Sequence, residues 1–312
     1  MIRAYRRDDV AAVADLLAEL EPEEGRSSAK GMAHWIESQP ERAALRIWLL
    51  EEDGRLGGLA YAGSNWTSSA GDTAWLWAGV AERLRGRGAG VGLFDRAEAH
   101  AMSLRPRAID TWAFEGTGGE AFARARGFEP TRRELVQRLD PREADLTELE
   151  PLADRLAADG FQAVPLREIR DDEAALHGLY VSVMKDVPAD EPEDYLPFPE
   201  FVGHVLGDPE LDPDASTIAL HDGRPVALAL LRVIGEHSYA ESEMTGTLPE
   251  VRGRGLARLA KLRVLRAARD LGLTELVTEN DSENAPILAV NRRLGYRATH
   301  TRLSLVRATL AE

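Results

Sequence analysis

Arg252-Gly253-Arg254-Gly255 is the run whose residue types and spacing most plainly permit chemistry in this 312-residue chain. Before it, Met244 to Leu248 reads as the end of a buried strand, and Pro249 stops that strand because proline has no N–H for a ladder. After it, Leu256, Leu259, Ala260 and Leu262 fall at helical spacing. A glycine turn between a strand end and a helix N-terminus leaves several backbone N–H groups unpaired. It aims them, with the positive end of the helix dipole, at one place. Glycine lets an anion approach the backbone, and Arg252, Arg254 and Arg258 add cations around it. The chemistry so described is phosphate binding. A solvated arginine-glycine turn is the bland alternative.

Two common phosphate loops are excluded. A P-loop needs Gly-Lys-Ser/Thr after its spacer, and no Gly-Lys pair occurs. A dinucleotide fingerprint needs a third glycine where this turn has Arg258. The net charge of −15 argues against nucleic acid and against anionic membrane surfaces, both of which select a basic face. No apolar run reaches the ~18 residues of a membrane span, and MIRAYRRDDV lacks the apolar core of a signal peptide, so the expected location is the cytoplasm. The absence of cysteine removes disulfides, thiolate metal sites and a cysteine nucleophile. The seven histidines show no ligand spacing, and no metal is expected.

The elements that must position the turn occur twice. Gly54-Arg55, Arg85-Gly86-Arg87-Gly88 and Gly127-Phe128 return in the same order as Gly223-Arg224, Arg252 to Gly255 and Gly295-Tyr296, each about 168 residues later. The chain reads as a tandem duplication. The first copy runs as a strand (2–5), a helix (9–20), a hairpin about Gly54, a strand ending near Val80, the glycine turn and a helix to Ser103. A strand (108–113), a helix to Arg126 and a closing strand (134–139) complete it. The second copy repeats this from Phe161 to Val306. An amphipathic helix carrying Leu146, Leu149, Leu152 and Leu156 lies between them, which places domains at 1–144 and 145–312.

The pattern Arg-Gly-x-Gly-x-Ala after a strand resembles the acetyl-CoA pyrophosphate loop of the GNAT superfamily of N-acetyltransferases. Asn280-Asp281-Ser282-Glu283-Asn284 leading to Asn291-Arg292-Arg293-Leu294-Gly295-Tyr296 resembles that family's fifth-strand end and closing motif. The resemblance implies an α/β (α+β) fold built as two tandem GNAT folds. Each would be a splayed, mixed but mostly antiparallel sheet flanked by helices, with the pantetheine arm entering the splay. It implies that Thr247, Leu248, Arg252, Gly253, Arg254, Gly255, Leu256, Ala257, Asn280 and Asn284 contact acetyl-CoA. In the first copy it implies the same of Val80, Arg85, Gly86, Arg87, Gly88, Ala89 and Gly90. Asn280 and Asn284 suit the pantetheine amides, although Asn284 also suits a helix cap.

With no cysteine available, acyl transfer is expected by direct attack of a primary amine within a ternary complex. The resemblance assigns the base to Glu241, eight residues before Pro249, with Glu243 in reserve on the same strand face. It assigns the thioester carbonyl's donor to the Thr247 N–H. Where relatives often carry a tyrosine acid this chain has Asn291, which can hydrogen-bond the sulfur but cannot act as an acid. The first copy has Ala74 and Ala123 at the places of Glu241 and Asn291, so the second copy is the expected catalytic half. This layout resembles mycothiol synthase. Two alternatives stay open: a mycothiol-synthase-like transferase with a cysteinyl-sugar acceptor, and a non-catalytic acyl-CoA sensor or scaffold. The acceptor is a small-molecule or peptide amine. The proline-rich acidic stretch 186–200, with Asp190, Glu191, Glu193 and Asp194, either attracts a cationic one or is simply solvated.

Overall fold

The computed structural model describes residues 1–21, 28–67, 72–188, 196–235 and 238–309. They form two compact units, one of residues 1–134 with 300–309 and one of 135–188 with 196–299.

The first unit starts with β1 (Ile2–Ala4), α1 (Val10–Leu20) and α2 (Ala29–Glu37). It continues through β2 (Arg46–Glu52), β3 (Arg55–Ser64), β4 (Thr73–Val80), α3 (Ala89–Ser103), β5 (Ala108–Phe114) and α4 (Gly118–Arg124) to the first part of β6 (Glu129–Leu139). β1 to β4 pair antiparallel in sequence order, and β4 pairs parallel with β5. One face of this sheet is covered by Leu93, Phe94, Ala97 and Ala101 of α3. The other face is covered by Val13, Ala14 and Leu16 of α1 and Met32 of α2.

The second unit repeats the plan with α5 (Leu149–Ala158), β7 (Phe161–Pro165), α6 (Glu173–Met184), the short α7 (Phe198–Glu200), β8 (Thr217–His221), β9 (Arg224–Ile234) and β10 (Tyr239–Thr247). α8 (Leu256–Asp270), β11 (Glu275–Asp281), α9 (Ala285–Leu294) and the start of β12 (Arg297–Ala308) follow. β7 to β10 are antiparallel neighbours, and β10 runs parallel to β11. Val226 to Leu231 of β9 are buried on both faces, which is why that strand reads as an unbroken apolar run. Each unit is thus the expected mixed, mostly antiparallel sheet with flanking helices.

The closing strands depart from the sequence reading. The strand that completes the first sheet is residues 302–308 of β12, antiparallel to β5 from Arg302↔Phe114 to Ala308↔Ala108. Residues 135–139 of β6, read as closing the first copy, belong to the second unit, where β6 neighbours β11. The division at 134/135 therefore does not coincide with the boundary expected at 144/145. Duplicated strands carry similar patterns, and periodicity records which face a strand buries but not which copy it joins.

Both sheets splay after their parallel pairing. β4 and β5 pair only from Thr73↔Ala108 to Trp75↔Asp110, and β10 and β11 only from Tyr239↔Glu275 to Glu241↔Val277. The second unit has one further device. β10 gains a residue against β9 between Ser242 and Thr245, a bulge, whereas β4 keeps unbroken register with β3.

Candidate active site

Glu241 is the last residue of β10 paired to β11, and it faces Arg232 directly across β9. The side chains meet at 2.5 Å between Arg232 Nη1 and Glu241 Oε2. The same guanidinium donates through Nε to Asp208 at 2.7 Å and through Nη2 to the wholly buried Glu210 at 2.8 Å. Glu243, 49% exposed, stands 3.7 Å from Nη1. Glu241 itself is 18% exposed. Burial pushes its carboxyl up to about 8; Arg232 opposes the push, and Glu243, Glu279 and Glu210 add to it. A carboxyl in that range is matched to proton abstraction near neutral pH.

Beyond Glu241 the strand turns its N–H groups alternately to either side. The Leu248 N–H donates to the Val226 carbonyl at 2.9 Å. Leu248 therefore has no amide to offer a ligand, and the alternation directs the Thr247 N–H away from β9, toward the side that β11 has left. The hydroxyls of Thr245 and Thr247 are buried and have no partner among the described residues. Gly246 lies between them under α6, where an added Cβ would stand 2.1 Å from Val183 Cγ1. Gly246→Ala is expected to cost about 1–3 kcal/mol of stability in urea denaturation. Adding Val183→Ala should recover most of that; a neutral single variant would contradict the packing.

The turn has the expected geometry. Gly253 and Gly255 take φ of +75° and +100°, a region that glycine enters without penalty. An added Cβ at Gly253 would meet nothing within 4 Å. Helix α8 follows, with the Leu259 N–H on the Gly255 carbonyl at 2.9 Å, so the amides of Leu256, Ala257 and Arg258 precede its ladder. The arginines are each engaged with protein groups. Arg252 donates to the Thr247 carbonyl at 3.1 Å and pairs with Asp186, Arg258 lies 3.4 Å from Glu148, and Arg254 stacks over Phe161. Arg155 of α5, which sequence reasoning missed, donates to the Arg254 carbonyl at 2.9 Å. Its separation of 99 residues left no local signal.

The asparagines divide. Asn291 is fully buried, and its amide donates to Asn280 Oδ1 at 2.7 Å and to Gln137 at 2.9 Å, while its own Oδ1 has no partner among the described residues. Gln137, on β6, was also missed, 154 residues away in sequence. Asn284 occupies the N-cap of α9, but its side chain makes no capping bond. In the acidic stretch, residues 189–195, which include Asp190, Glu191, Glu193 and Asp194, lie outside the described residues.

The pattern of the acetyltransferase (GNAT) family matches twice, over residues 10–128 and 183–296. The chain belongs to that family. A mycothiol acetyltransferase of Nocardioides sp. is 26% identical over 313 residues, spanning 94% of this chain and 95% of its own. Another, from Acidothermus cellulolyticus, is 25% identical over 81% of this chain and 76% of its own. The solved tandem GNAT protein from the clavulanic acid biosynthesis pathway superposes with a TM-score of 0.72 at 21% identity, covering 100% of this chain and 99% of its own, and so shares the fold. The chain is an N-acetyltransferase with two GNAT units.

The two GNAT units differ where chemistry would occur. The first keeps the turn: Gly86 and Gly88 have φ of +73° and +80°, and Arg85 Nε donates to the Val80 carbonyl at 3.3 Å as Arg252 does to Thr247. Arg87 precedes Gly88, α3 begins at Ala89, and a Cβ on Gly90 would rest 3.7 Å from Val80. Its splay, however, is spanned by aromatic rings. Two residues past the last paired position, Trp77 stacks on Trp112 at 5.6 Å and 20°. Tyr61 stacks on Trp77 at 5.4 Å, and Arg302 lies over Trp112 at 5.6 Å. All six tryptophans fall between Trp35 and Trp112, so the second unit cannot build this stack. Ala123 is buried and carries no polar group, and the residue that ends the parallel pairing as Glu241 does is Trp75, not the Ala74 expected from spacing, because the β10 bulge shifts the count by one.

Proposed function

We propose that the second GNAT unit transfers an acetyl group from acetyl-CoA to a primary amine by direct attack, with Glu241 as the base. The observation that carries this reading is the placement of Glu241, a carboxyl pushed up to about 8, at the point where β10 and β11 part. The second unit fits the donor: the open turn suits a pyrophosphate, and the unpartnered oxygens of Thr245, Thr247 and Asn291 suit the pantetheine amides. When bound, acetyl-CoA supplies the thioester that is attacked. Glu241 takes the proton of the incoming amine, so that an N–H bond breaks as an O–H bond forms. The Thr247 N–H offers a hydrogen bond to the charge that develops on the thioester oxygen. Asn291 is held by Asn280 and Gln137, which supports a fixed polar wall rather than an acid. The thiolate then leaves without a dedicated proton donor.

The first unit supports the turn but not the arm. The Trp77–Trp112 stack lies just past the end of the β4–β5 pairing, where the pantetheine arm would enter, and Trp75, which ends that pairing as Glu241 ends its own, leaves no base there. The reading is tested by coenzyme A release from acetyl-CoA across spermidine, an aminoglycoside, amino acids, a basic peptide and a cysteinyl amino-sugar. The last is included because a relative that matches 94% of this chain is a mycothiol acetyltransferase. Release that depends on one of these amines supports the proposal. Tight binding of acetyl-CoA without release from any of them favours a sensor.

A further inference from the structure

Arg232 has more partners than an ion pair needs. Glu241 lies on its β10 side. On its other side runs the segment 208–212, which lies alongside β9. There the Val233 N–H donates to the Glu210 carbonyl at 2.7 Å, the Asp212 N–H donates to Leu231 at 2.9 Å, and Leu211 bridges to Arg232. The Glu210 N–H is in turn fixed to Asp208 Oδ1 at 2.8 Å. The segment thus delivers two carboxylates to the guanidinium from a backbone that is itself tied to the strand.

We infer that Arg232, braced by Asp208 and Glu210, is a positioning residue that holds the Glu241 carboxylate where it meets the acceptor amine. This rests on the acetyl-transfer reading above. The brace explains the stoichiometry of charge. A partly buried guanidinium paired only with Glu241 would lose its counter-ion each time Glu241 took a proton, and leaving such a charge unpaired is costly. With Asp208 and Glu210 in place, Arg232 keeps two carboxylates through the whole proton cycle, and Glu241 titrates without disturbing it. The fork geometry of arginine lets one side chain meet all three at separate nitrogens, which lysine cannot do. The charged groups facing Glu241 are Arg232 on β9, Glu243 on β10, Glu279 on β11 and Glu210 on the brace.

Two predictions of opposite sign follow. Removing the guanidinium in Arg232→Gln removes the influence that favours ionised Glu241, so its titration moves to higher pH. Removing a repelling carboxylate in Glu210→Gln moves it to lower pH. The protonated-carboxyl infrared band of Glu241, isolated by subtracting the spectrum of Glu241→Gln, reports this without any acceptor. We expect an upward shift of about one pH unit or more in Arg232→Gln and a smaller downward shift in Glu210→Gln. With spermidine as the probe amine, Arg232→Gln should lower kcat by about tenfold or more at pH 8 and leave the KM for acetyl-CoA unchanged, while Arg232→Lys restores the titration but not the full kcat.

A Glu241 band that titrates at the wild-type pH in both variants overturns the inference. Should Arg232→Gln fail to fold, the shift in Glu210→Gln decides alone. Acetyl transfer that persists unchanged in Glu241→Gln overturns the base assignment instead. The two failures are therefore distinguishable.

Discussion

Glu241→Gln is expected to lower kcat by about 10²–10⁴-fold while leaving the affinity for acetyl-CoA unchanged. The substitution is nearly isosteric and keeps a group that can hydrogen-bond Arg232, so it removes the proton acceptor and little else. The pH dependence follows from the same group. Its carboxyl is pushed up to about 8, chiefly by burial, and only the ionised form accepts a proton. Wild-type kcat/KM should therefore rise as pH rises through about 8, and this limb should vanish in the variant. A variant with the wild-type rate and the wild-type limb would remove Glu241 from the mechanism.

The second large effect lies on the opposite face of β10. Lys261 of α8 is 2% exposed, donates to Ser242 Oγ at 3.0 Å and sits 4.9 Å from the Tyr296 ring centre. Burial alone lowers its pKa from 10.5 to about 7. The unfolded chain thus binds a proton between these values that the folded chain does not, and stability must climb with pH from about 7 to 10.5. Glu241 acts with the other sign: its folded pKa is raised, so its contribution is lost as pH rises to about 8. Above pH 8 only the Lys261 effect of the two remains. Lys261→Met is expected to raise the melting temperature by several degrees at pH 8 and to flatten its rise between pH 8 and pH 10. A variant that keeps the wild-type slope would show that the amine is not held neutral.

Much of this site was legible because it is local in sequence. The glycine turn, the proline that ends β10 and the start of α8 lie within 249–256, and each announces itself through a residue with one dominant backbone preference. The repeat was legible for the same reason. What escaped was non-local. Arg232, Asp208 and Glu210 carry no motif; the register of β9 against β10 brings Arg232 to Glu241, and the segment 208–212 alongside β9 brings the two carboxylates to Arg232. Gln137 reaches Asn291 because β6 lies beside β11, a pairing that hydrophobic alternation cannot specify. Lys261 stands in a helical core stripe between Leu259 and Leu262, at a position where pattern reading expects an apolar side chain. In the first unit, Trp77 and Trp112 carry no motif, and only their stacking joins β4 to β5 past the last paired position.

The proposed acetyl-CoA site is single and lies in the second unit. Gly253 and Gly86 provide a matched test. They occupy the same place in the two turns, their φ values are +75° and +73°, and a Cβ on either would meet nothing within 4 Å. An aspartate at either position therefore adds a negative charge beside a phosphate site with little else changed, and aspartate tolerates this backbone region better than most residues. The measurement is calorimetric titration of acetyl-CoA into wild type, Gly253→Asp and Gly86→Asp. We predict one molecule bound per chain in wild type, binding lost in Gly253→Asp and binding unchanged in Gly86→Asp. Binding that survives in Gly253→Asp, or is lost in Gly86→Asp, would contradict the account.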